Sequence, residues 1–170
     1  ADAEVVPHPV DEEGIVLNER PCDYYYVTPG HQVPTGVAMS SARRRQLLDH
    51  AARHDAVIIE DDYDSESNFT LNPLPALKAS DRSGRVVYVS SLSKALSPGL
   101  RLGFMVADPD LIDEARALRR LVYRHPPTNI QYQMAHFLAQ GHYETHLRRY
   151  HYDSAQRWER LHAALQRYLP

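Results

Sequence analysis

The residue that first suggests chemistry is Lys94, in the segment VSSLSKALSPGLRLGF at positions 89–104. It lies between two serines, after a run of apolar residues, in a chain whose only other lysine is Lys78. A lysine amine in a partly desolvated pocket can form a Schiff base with an aldehyde, whereas an arginine stays protonated and cannot. Lys94 is therefore a candidate for binding a carbonyl compound covalently, and Arg101 for holding an anion.

Two other polar segments follow apolar runs, VTPGHQVPTG at 27–36 and EDDYDSE at 60–66. In an open α/β sheet, ligands bind beyond the carboxyl ends of the strands. Pyridoxal phosphate needs a lysine for its aldehyde, an acid for its ring nitrogen, a donor for its phenolic oxygen, and cations and hydroxyls for its phosphate. The chain supplies these types with Lys94, with Asp61 or Asp62, and with Tyr63, Ser91, Ser93 and Arg101.

Alternating strands and helices must position these segments. Near-continuous apolar runs predict strands buried on both faces of a mostly parallel sheet, at 24–27, 56–60, 86–90 and 103–107, and a shorter strand in EVVPH at 4–8. Apolar residues at helical spacing predict helices over 40–54, beginning at Ser40 or Ser41, over 109–124, and in one long final helix that reaches Tyr168. The pattern indicates an α/β fold.

The overall composition favours an ordinary globular protein. The chain has 170 residues, 43% of them hydrophobic, and a formal net charge of −3, which gives no general attraction to nucleic acid or anionic membranes. Its one cysteine, Cys22, cannot form an internal disulfide, as is typical of a reducing compartment. No apolar run approaches the roughly 20 residues that a membrane span needs. We expect a soluble, cytoplasmic protein.

Three motifs occur in a fixed order, TPxHQxPTG at 28–36, EDDYDSE at 60–66 and SxSKxLxPGLRLG at 91–103. Over essentially the whole chain, this order resembles the aminotransferase-like domain of MocR/GabR-type transcriptional regulators of the GntR family. These regulators join a winged-helix DNA-binding domain to a pyridoxal-phosphate module of fold type I. The lysine motif is shared with many aminotransferases. EDDYDSE discriminates better, because Tyr63 lies two residues after Asp61 where ordinary aminotransferases usually have three.

The resemblance implies a role for each motif residue. Lys94 would form the internal aldimine with pyridoxal phosphate, Asp61 would pair with the pyridine nitrogen, and Tyr63 would bind the phenolic oxygen. The phosphate would be held by Ser91, Ser93 and Arg101. Ordinary aminotransferases have an asparagine directly before PTG that contacts the ring oxygen. This chain has Val33 there, so His31 or Gln32 would line the pocket and partly replace that contact.

The resemblance also implies that the chain holds part of such a module. Residues 1–125 would be the second half of the cofactor-binding large domain, and residues 126–170 a linker and the long helix that enters the small C-terminal domain. Pro126 and Pro127 mark this boundary because two prolines interrupt a helix. The winged helix and the glycine-rich phosphate loop would precede residue 1. The chain alone should therefore bind the cofactor poorly.

Three hypotheses for function follow. The favoured one is an effector domain that senses an amino acid or amine through an external aldimine on pyridoxal phosphate, in a homodimer that contacts DNA only through the winged helix. This hypothesis does not require turnover. The alternative is a class I or II aminotransferase with real transamination, in which Lys94 also transfers the proton between substrate and cofactor. The third is a cofactor-free interaction module.

The remaining polar clusters have simpler interpretations. ARRR at 42–45 is expected to be a solvated helix face rather than a DNA contact, because the chain is acidic overall. The histidines show no metal-ligand spacing, and no metal is predicted. His142 and His146 are four residues apart but lack the glutamate of a zinc-protease motif, so a solvated face is expected for them too. Solvent-facing or turn-forming roles are expected for Asp62, Asp64 and Glu66.

Overall fold

The chain forms a small hairpin, a four-stranded sheet and five helices in the computed structural model, which describes residues 3–18, 20–64, 66, 74–124 and 127–169. The hairpin pairs β1 (Val10–Asp11) with β2 (Gly14–Ile15). The sheet contains β3 (Tyr24–Val27), β4 (Val57–Asp62), β5 (Val86–Ser91) and β6 (Gly103–Val106). The helices are α1 (Ser41–Arg53), α2 (Leu77–Ser80), α3 (Pro109–Tyr123), α4 (Thr128–Ala139) and α5 (His142–Tyr168).

The sheet is mostly parallel, as the sequence predicted. Its order is β3–β4–β5–β6, with parallel pairing from β3 to β5 and an antiparallel β6 at the edge. The four long apolar runs are all strands. The predicted strand at 4–8 is wrong, since these residues belong to no strand. Pro7 and Pro9 lack the backbone N–H that a paired strand needs.

Among the described residues, one face of this sheet is fully packed and the other is at most partly buried. The residues that point toward α1 form the core with Leu47 and Ala51 of that helix; among them are Tyr25, Val27 and Ile58. On the opposite face, Tyr24 is 67% and Tyr26 64% exposed. The prediction of burial on both faces is therefore wrong for the described residues. We call the uncovered side the open face of the sheet.

Two helices, α1 and α3, begin where the sequence predicted. Ser40 caps α1, with its Oγ accepting a hydrogen bond from the Arg43 amide, and Pro109 occupies the first turn of α3. Between the predicted proline break and the long helix, the chain forms α4; Pro126 itself lies outside the described residues. At 27 residues, α5 is about 40 Å long. No residue of α3 or α5 is buried in this chain, and Leu118 and Trp158 are exposed.

None of the helices in the described ranges has the length and apolarity that a membrane span requires.

Candidate cofactor site

The pleat of the sheet separates the two adjacent aspartates at the end of β4. Asp61 is paired with Val89, and Ser91 lies two residues further along β5, so Asp61 and Ser91 share the open face. Asp62 points to the other face, where its Oδ2 accepts a 2.7 Å hydrogen bond from the Tyr88 hydroxyl. Burial raises the pKa of Asp62, while the Tyr88 bond lowers it. Of the two candidates, Asp61 therefore lies on the side with the other predicted cofactor residues.

A tyrosine that the sequence analysis did not single out binds Asp61. The Tyr26 hydroxyl donates a hydrogen bond to Asp61 Oδ2. This bond to a carboxylate, together with burial, raises the pKa of Tyr26 to about 12. Tyr26 is paired with Ile59, two residues before Asp61, so both side chains lie on the open face. The register between β3 and β4 places Tyr26 beside Asp61. The sequence does not reveal this register, so Tyr26 could not be identified from it.

Lys94 and Tyr63 are in direct contact. The Lys94 Nζ lies 4.1 Å from the centroid of the Tyr63 ring. The Tyr63 hydroxyl donates a 3.1 Å hydrogen bond to the carbonyl oxygen of His31, which ties it to the HQVPTG loop. Among the described residues, Lys94 has no ion pair, whereas Lys78 pairs with Asp81 at 3.1 Å. The two lysines thus differ: one is held by a carboxylate, and the other presents its amine to an aromatic face.

The HQVPTG loop is fixed by its own polar groups. His31 Nδ1 lies 2.8 Å from Asp64 Oδ2, so Asp64 is engaged by the loop rather than by solvent alone. The backbone amide of Gln32 bonds to the carbonyl of Val37 at 2.8 Å. Gln32 Oε1 is buried without a hydrogen-bond partner in the described part of the chain. An unsatisfied buried amide oxygen is unusual, and it leaves this side chain available to a ligand.

The three predicted phosphate-binding residues lie at one end of the β5–β6 pair. Ser91 is paired with Gly103, and the Leu92 amide bonds to the Leu102 carbonyl at 3.0 Å. This pairing brings the turn that follows Ser91 beside Arg101, the residue that precedes Leu102. Ser91 Oγ accepts a 3.1 Å hydrogen bond from the Ser93 amide. Arg101 is exposed and has no ion pair within the described ranges, so its guanidinium is available to an anion.

Behind the loops lies a buried arginine that was expected to be solvated. Arg44 is 9% exposed. Its guanidinium donates to the carbonyls of Met39 (3.0 Å), Pro29 (3.0 Å) and Pro75 (2.7 Å). Burial lowers the pKa of Arg44, although Glu60 and Asp62 act in the opposite direction. The predicted solvated face is therefore wrong for Arg44, because three carbonyl groups converge on this side chain and replace water.

Glu60 supports the same region from β4. It is 1% exposed, and its two carboxylate oxygens accept hydrogen bonds from the amides of Leu77 (2.7 Å) and Lys78 (2.9 Å) at the start of α2. Burial raises the pKa of Glu60, and these two hydrogen bonds lower it. The carboxylate thus anchors α2 to the strand that carries Asp61.

The long helix also reaches the site. His146 Nε2 lies 2.6 Å from the carbonyl oxygen of Ala95, the residue after Lys94. On the same helix, the Tyr143 hydroxyl donates to Glu66 Oε1 at 2.8 Å, and His151 Nε2 lies 2.7 Å from the Glu66 carbonyl oxygen. The prediction that His146 lies on a solvated face is therefore wrong. Glu66, expected to face solvent or to form a turn, lies in a short helical turn and is also bound by α5. Each has a partner more than 50 residues away in the sequence.

These residues fit pyridoxal phosphate in their chemistry. An amine, a carboxylate, a phenol, two serine hydroxyls and an arginine lie at the ends of adjacent strands, and a buried amide oxygen of Gln32 lacks a partner among the described residues. In the described part of the chain, no cluster of histidine, cysteine, aspartate or glutamate is arranged to hold a metal ion.

Comparison with known proteins identifies the family. The family model "Aminotransferase class I and II" matches residues 27–168. The chain belongs to this family. The match indicates pyridoxal phosphate as the cofactor, as the sequence predicted.

Curated relatives include regulators. The chain is 40% identical, over 99% of its length, to the probable rhizopine catabolism regulatory protein MocR of Rhizobium meliloti. It is 44% identical, over 84% of its length, to the HTH-type transcriptional regulator TauR of Rhodobacter capsulatus. These matches confirm the resemblance to MocR-type regulators. The chain spans 35% and 30% of these two relatives, about a third of their length.

Solved structures confirm the fold. The multiple substrate aminotransferase of Thermococcus profundus matches 97% of the chain with a TM-score of 0.87 and 28% identity, and the chain covers 44% of it. The kynurenine aminotransferase of Pyrococcus horikoshii matches 97% with a TM-score of 0.86 and 28% identity, again over 44% of that chain. The chain therefore has the fold of part of a pyridoxal-phosphate-dependent aminotransferase of fold type I.

Proposed function

We propose that this chain is the pyridoxal-phosphate-binding effector domain of a MocR/GabR-type transcriptional regulator. Residues 1–125 contribute the second half of the large domain, and residues 126–170 lead into the small domain. The effector is an amino acid or an amine. DNA is contacted through a winged-helix domain outside this chain, and the protein acts as a homodimer.

The observation that carries this proposal is the contact between Lys94 and Tyr63. It brings together two motifs that are separate in sequence: the lysine motif, which many aminotransferases share, and EDDYDSE, which favours the regulator family over ordinary aminotransferases. The two relatives named above are both regulators by name and support the same assignment.

Bound pyridoxal phosphate supplies an aldehyde for an amine and a ring that withdraws electrons. The other roles belong to residues of the chain. Lys94 offers the amine that attaches the cofactor, and Asp61 holds the proton on its ring nitrogen. Tyr63 binds the phenolic oxygen, with His31 or Gln32 lining the pocket nearby, and Ser91, Ser93 and Arg101 bind the phosphate. The Tyr63 ring would orient the Lys94 amine, which lies 4.1 Å from its centroid.

The attachment site can be tested on the full-length gene product. The protein is incubated with pyridoxal phosphate, reduced with borohydride and digested, and the phosphopyridoxyl adduct is mapped by mass spectrometry. We expect the adduct on Lys94 and its loss in Lys94→Ala. Lys78→Ala is the matched control, because Lys78, the other lysine of this chain, is already paired with Asp81. An adduct elsewhere, or one that persists in Lys94→Ala, would sink the assignment.

The second candidate function is transamination, which the structural similarity to aminotransferases favours. The two functions differ in whether the bound cofactor is converted to its amine form. In a regulator, addition of the effector changes the cofactor absorbance reversibly and alters DNA binding. Stoichiometric conversion to pyridoxamine phosphate, with release of the corresponding keto acid, would favour the enzyme.

A further inference from the structure

The first three turns of α5 hold both cofactor-binding segments. Tyr143 and His151 bind Glu66 in the segment that follows Asp61, and His146 binds the Ala95 carbonyl next to Lys94. Positions 143, 146 and 151 lie on one side of a helix with 3.6 residues per turn. One face of α5 therefore contacts both the segment that contains Tyr63 and Glu66 and the segment that contains Lys94 and Ala95.

The Ala95 carbonyl is the point where this helix can influence Lys94. Ala95 is buried, and the turn around it is held by a 3.1 Å hydrogen bond from the Leu96 amide to the Leu92 carbonyl. A carbonyl oxygen can only accept, so His146 must donate from Nε2. A buried carbonyl that loses its donor is left unsatisfied, which favours other conformations of a short turn.

We propose that His146 is a positioning residue for Lys94, which fixes the turn at Leu92–Leu96 so that the amine faces the Tyr63 ring. This inference rests on the proposed function of Lys94. It assigns His146 no contact with the cofactor; the residue acts through the Ala95 peptide. A consequence is that a displacement of α5 is transmitted to the lysine through the hydrogen bond from His146 to the Ala95 carbonyl.

The test uses the full-length gene product with His146→Leu, which removes the donor, and His146→Gln, which retains an N–H donor of similar reach. The control is His162→Leu, because the described side-chain contacts of His162 are with Trp158 and Gln166 of its own helix. In cofactor-free protein, hydrogen–deuterium exchange at Leu96 is measured. We expect at least a tenfold increase in His146→Leu, with most of the protection restored in His146→Gln.

A second measurement follows the cofactor. We expect His146→Leu to bind pyridoxal phosphate about tenfold more weakly and to shift the pH midpoint of the Lys94-linked absorbance band. In His146→Gln, both the affinity and the midpoint should return toward the wild-type values. The idea fails if exchange, affinity and midpoint in His146→Leu equal those of the control. It also fails if His146→Gln folds normally yet recovers none of them. Should the wild-type protein bind no cofactor, the proposed function fails, while the exchange experiment still decides whether His146 fixes the turn.

Discussion

The Lys94 Nζ lies 4.1 Å from the centroid of the Tyr63 ring, and the Tyr63 hydroxyl donates to the His31 carbonyl. The tyrosine thus has two separable parts: a ring that faces the amine, and a hydroxyl that fastens the HQVPTG loop. A cation near the face of an aromatic ring gains about 0.5–1 kcal/mol at an exposed site. Burial, Asp64 and Asp61 raise the pKa of Tyr63, so the hydroxyl stays a donor at neutral pH.

Tyr63→Phe and Tyr63→Leu separate these two parts. Tyr63→Phe keeps the ring and loses the hydroxyl, which binds His31 and is proposed to bind the phenolic oxygen of the cofactor. We therefore expect the HQVPTG amides to exchange faster and cofactor affinity to fall, while Lys94 keeps its contact. Tyr63→Leu loses both, and we expect cofactor affinity to fall several-fold further. Hydrogen exchange and absorbance titration with pyridoxal phosphate measure the two effects. Equal affinity in the two variants would show that the ring contributes nothing.

The hydrogen bond from Tyr26 to Asp61 gives a second prediction. Because the carboxylate stabilises the protonated phenol, Tyr26 titrates at about pH 12, against about 10 for an unperturbed tyrosine. In Asp61→Asn the carboxylate charge is lost, and we expect the Tyr26 pKa to fall toward 10. Carbon-13 NMR of labelled tyrosine at pH 11 should show Tyr26 protonated in the wild type and largely ionised in the variant.

The hydrogen bond between Tyr26 and Asp61 should also affect the affinity for pyridoxal phosphate. Tyr26→Phe removes the hydroxyl that donates to Asp61, so the Asp61 carboxylate is no longer held in place. We therefore expect pyridoxal phosphate to bind about three- to tenfold more weakly. Tyr24→Phe is the matched control, since it is equally exposed, on the same strand and on the same face. If both variants bind like the wild type, Tyr26 does not position Asp61.

A buried histidine predicts how stability depends on pH. The Tyr25 hydroxyl accepts from the Cys22 amide at 3.2 Å, and its oxygen lies 2.8 Å from His50 Nε2. With the hydroxyl as donor, this second bond requires a neutral imidazole. Burial, and then the nearby His54, Arg53 and His8, lower the pKa of His50. A base with a lowered pKa in the folded state stabilises the fold above its unfolded pKa, near 6.5. That contribution is lost as the pH falls below this value.

We therefore expect the urea midpoint to drop between pH 7.5 and 5.5, and to drop less in His50→Gln, whose amide oxygen still accepts from Tyr25. His50→Leu leaves the buried Tyr25 O–H without its acceptor and should cost about 1–3 kcal/mol at pH 7.5. The exposed His162→Gln controls for histidine titration in general. A pH dependence that is the same in His50→Gln and in the wild type would contradict the assignment.

Much of the fold could be predicted because apolar patterning encodes it directly. The four long strands and the start of α1 at Ser40 follow from side-chain types within a few neighbouring residues. Exposure of Tyr24 and Tyr26 could not be predicted, because the sequence shows that a strand is apolar but not whether a partner layer covers each face. The motif residues were found for the same reason as the strands: their types and spacing are local.

The supporting residues could not be predicted because their partners are backbone carbonyls distant in sequence. Arg44 binds the Pro75 carbonyl 31 residues away, and His146 binds the Ala95 carbonyl 51 residues away. Every residue except proline has both an N–H and a carbonyl, so a sequence carries no mark of which carbonyl a side chain will bind. Asp61 and Asp62 differ in the face of the sheet on which their side chains lie. The register between β4 and β5 determines which of the two shares a face with Ser91.

Gly103 offers a prediction about the end of the sheet where we propose that the phosphate binds. A Cβ on Gly103 would lie 2.9 Å from the carbonyl oxygen of Ser90, which is a backbone atom and cannot move aside easily. Gly103→Ala should therefore push β6 away from β5 and cost about 1–3 kcal/mol in urea unfolding, as overpacking does elsewhere. Because Arg101 lies two residues before Gly103, we also expect weaker binding of pyridoxal phosphate. Gly99→Ala is the control, since its Cβ would approach only Ser97 Oγ, at 3.7 Å. If the two variants are equally stable, the strands tolerate the extra methyl group and Gly103 is not required by close packing.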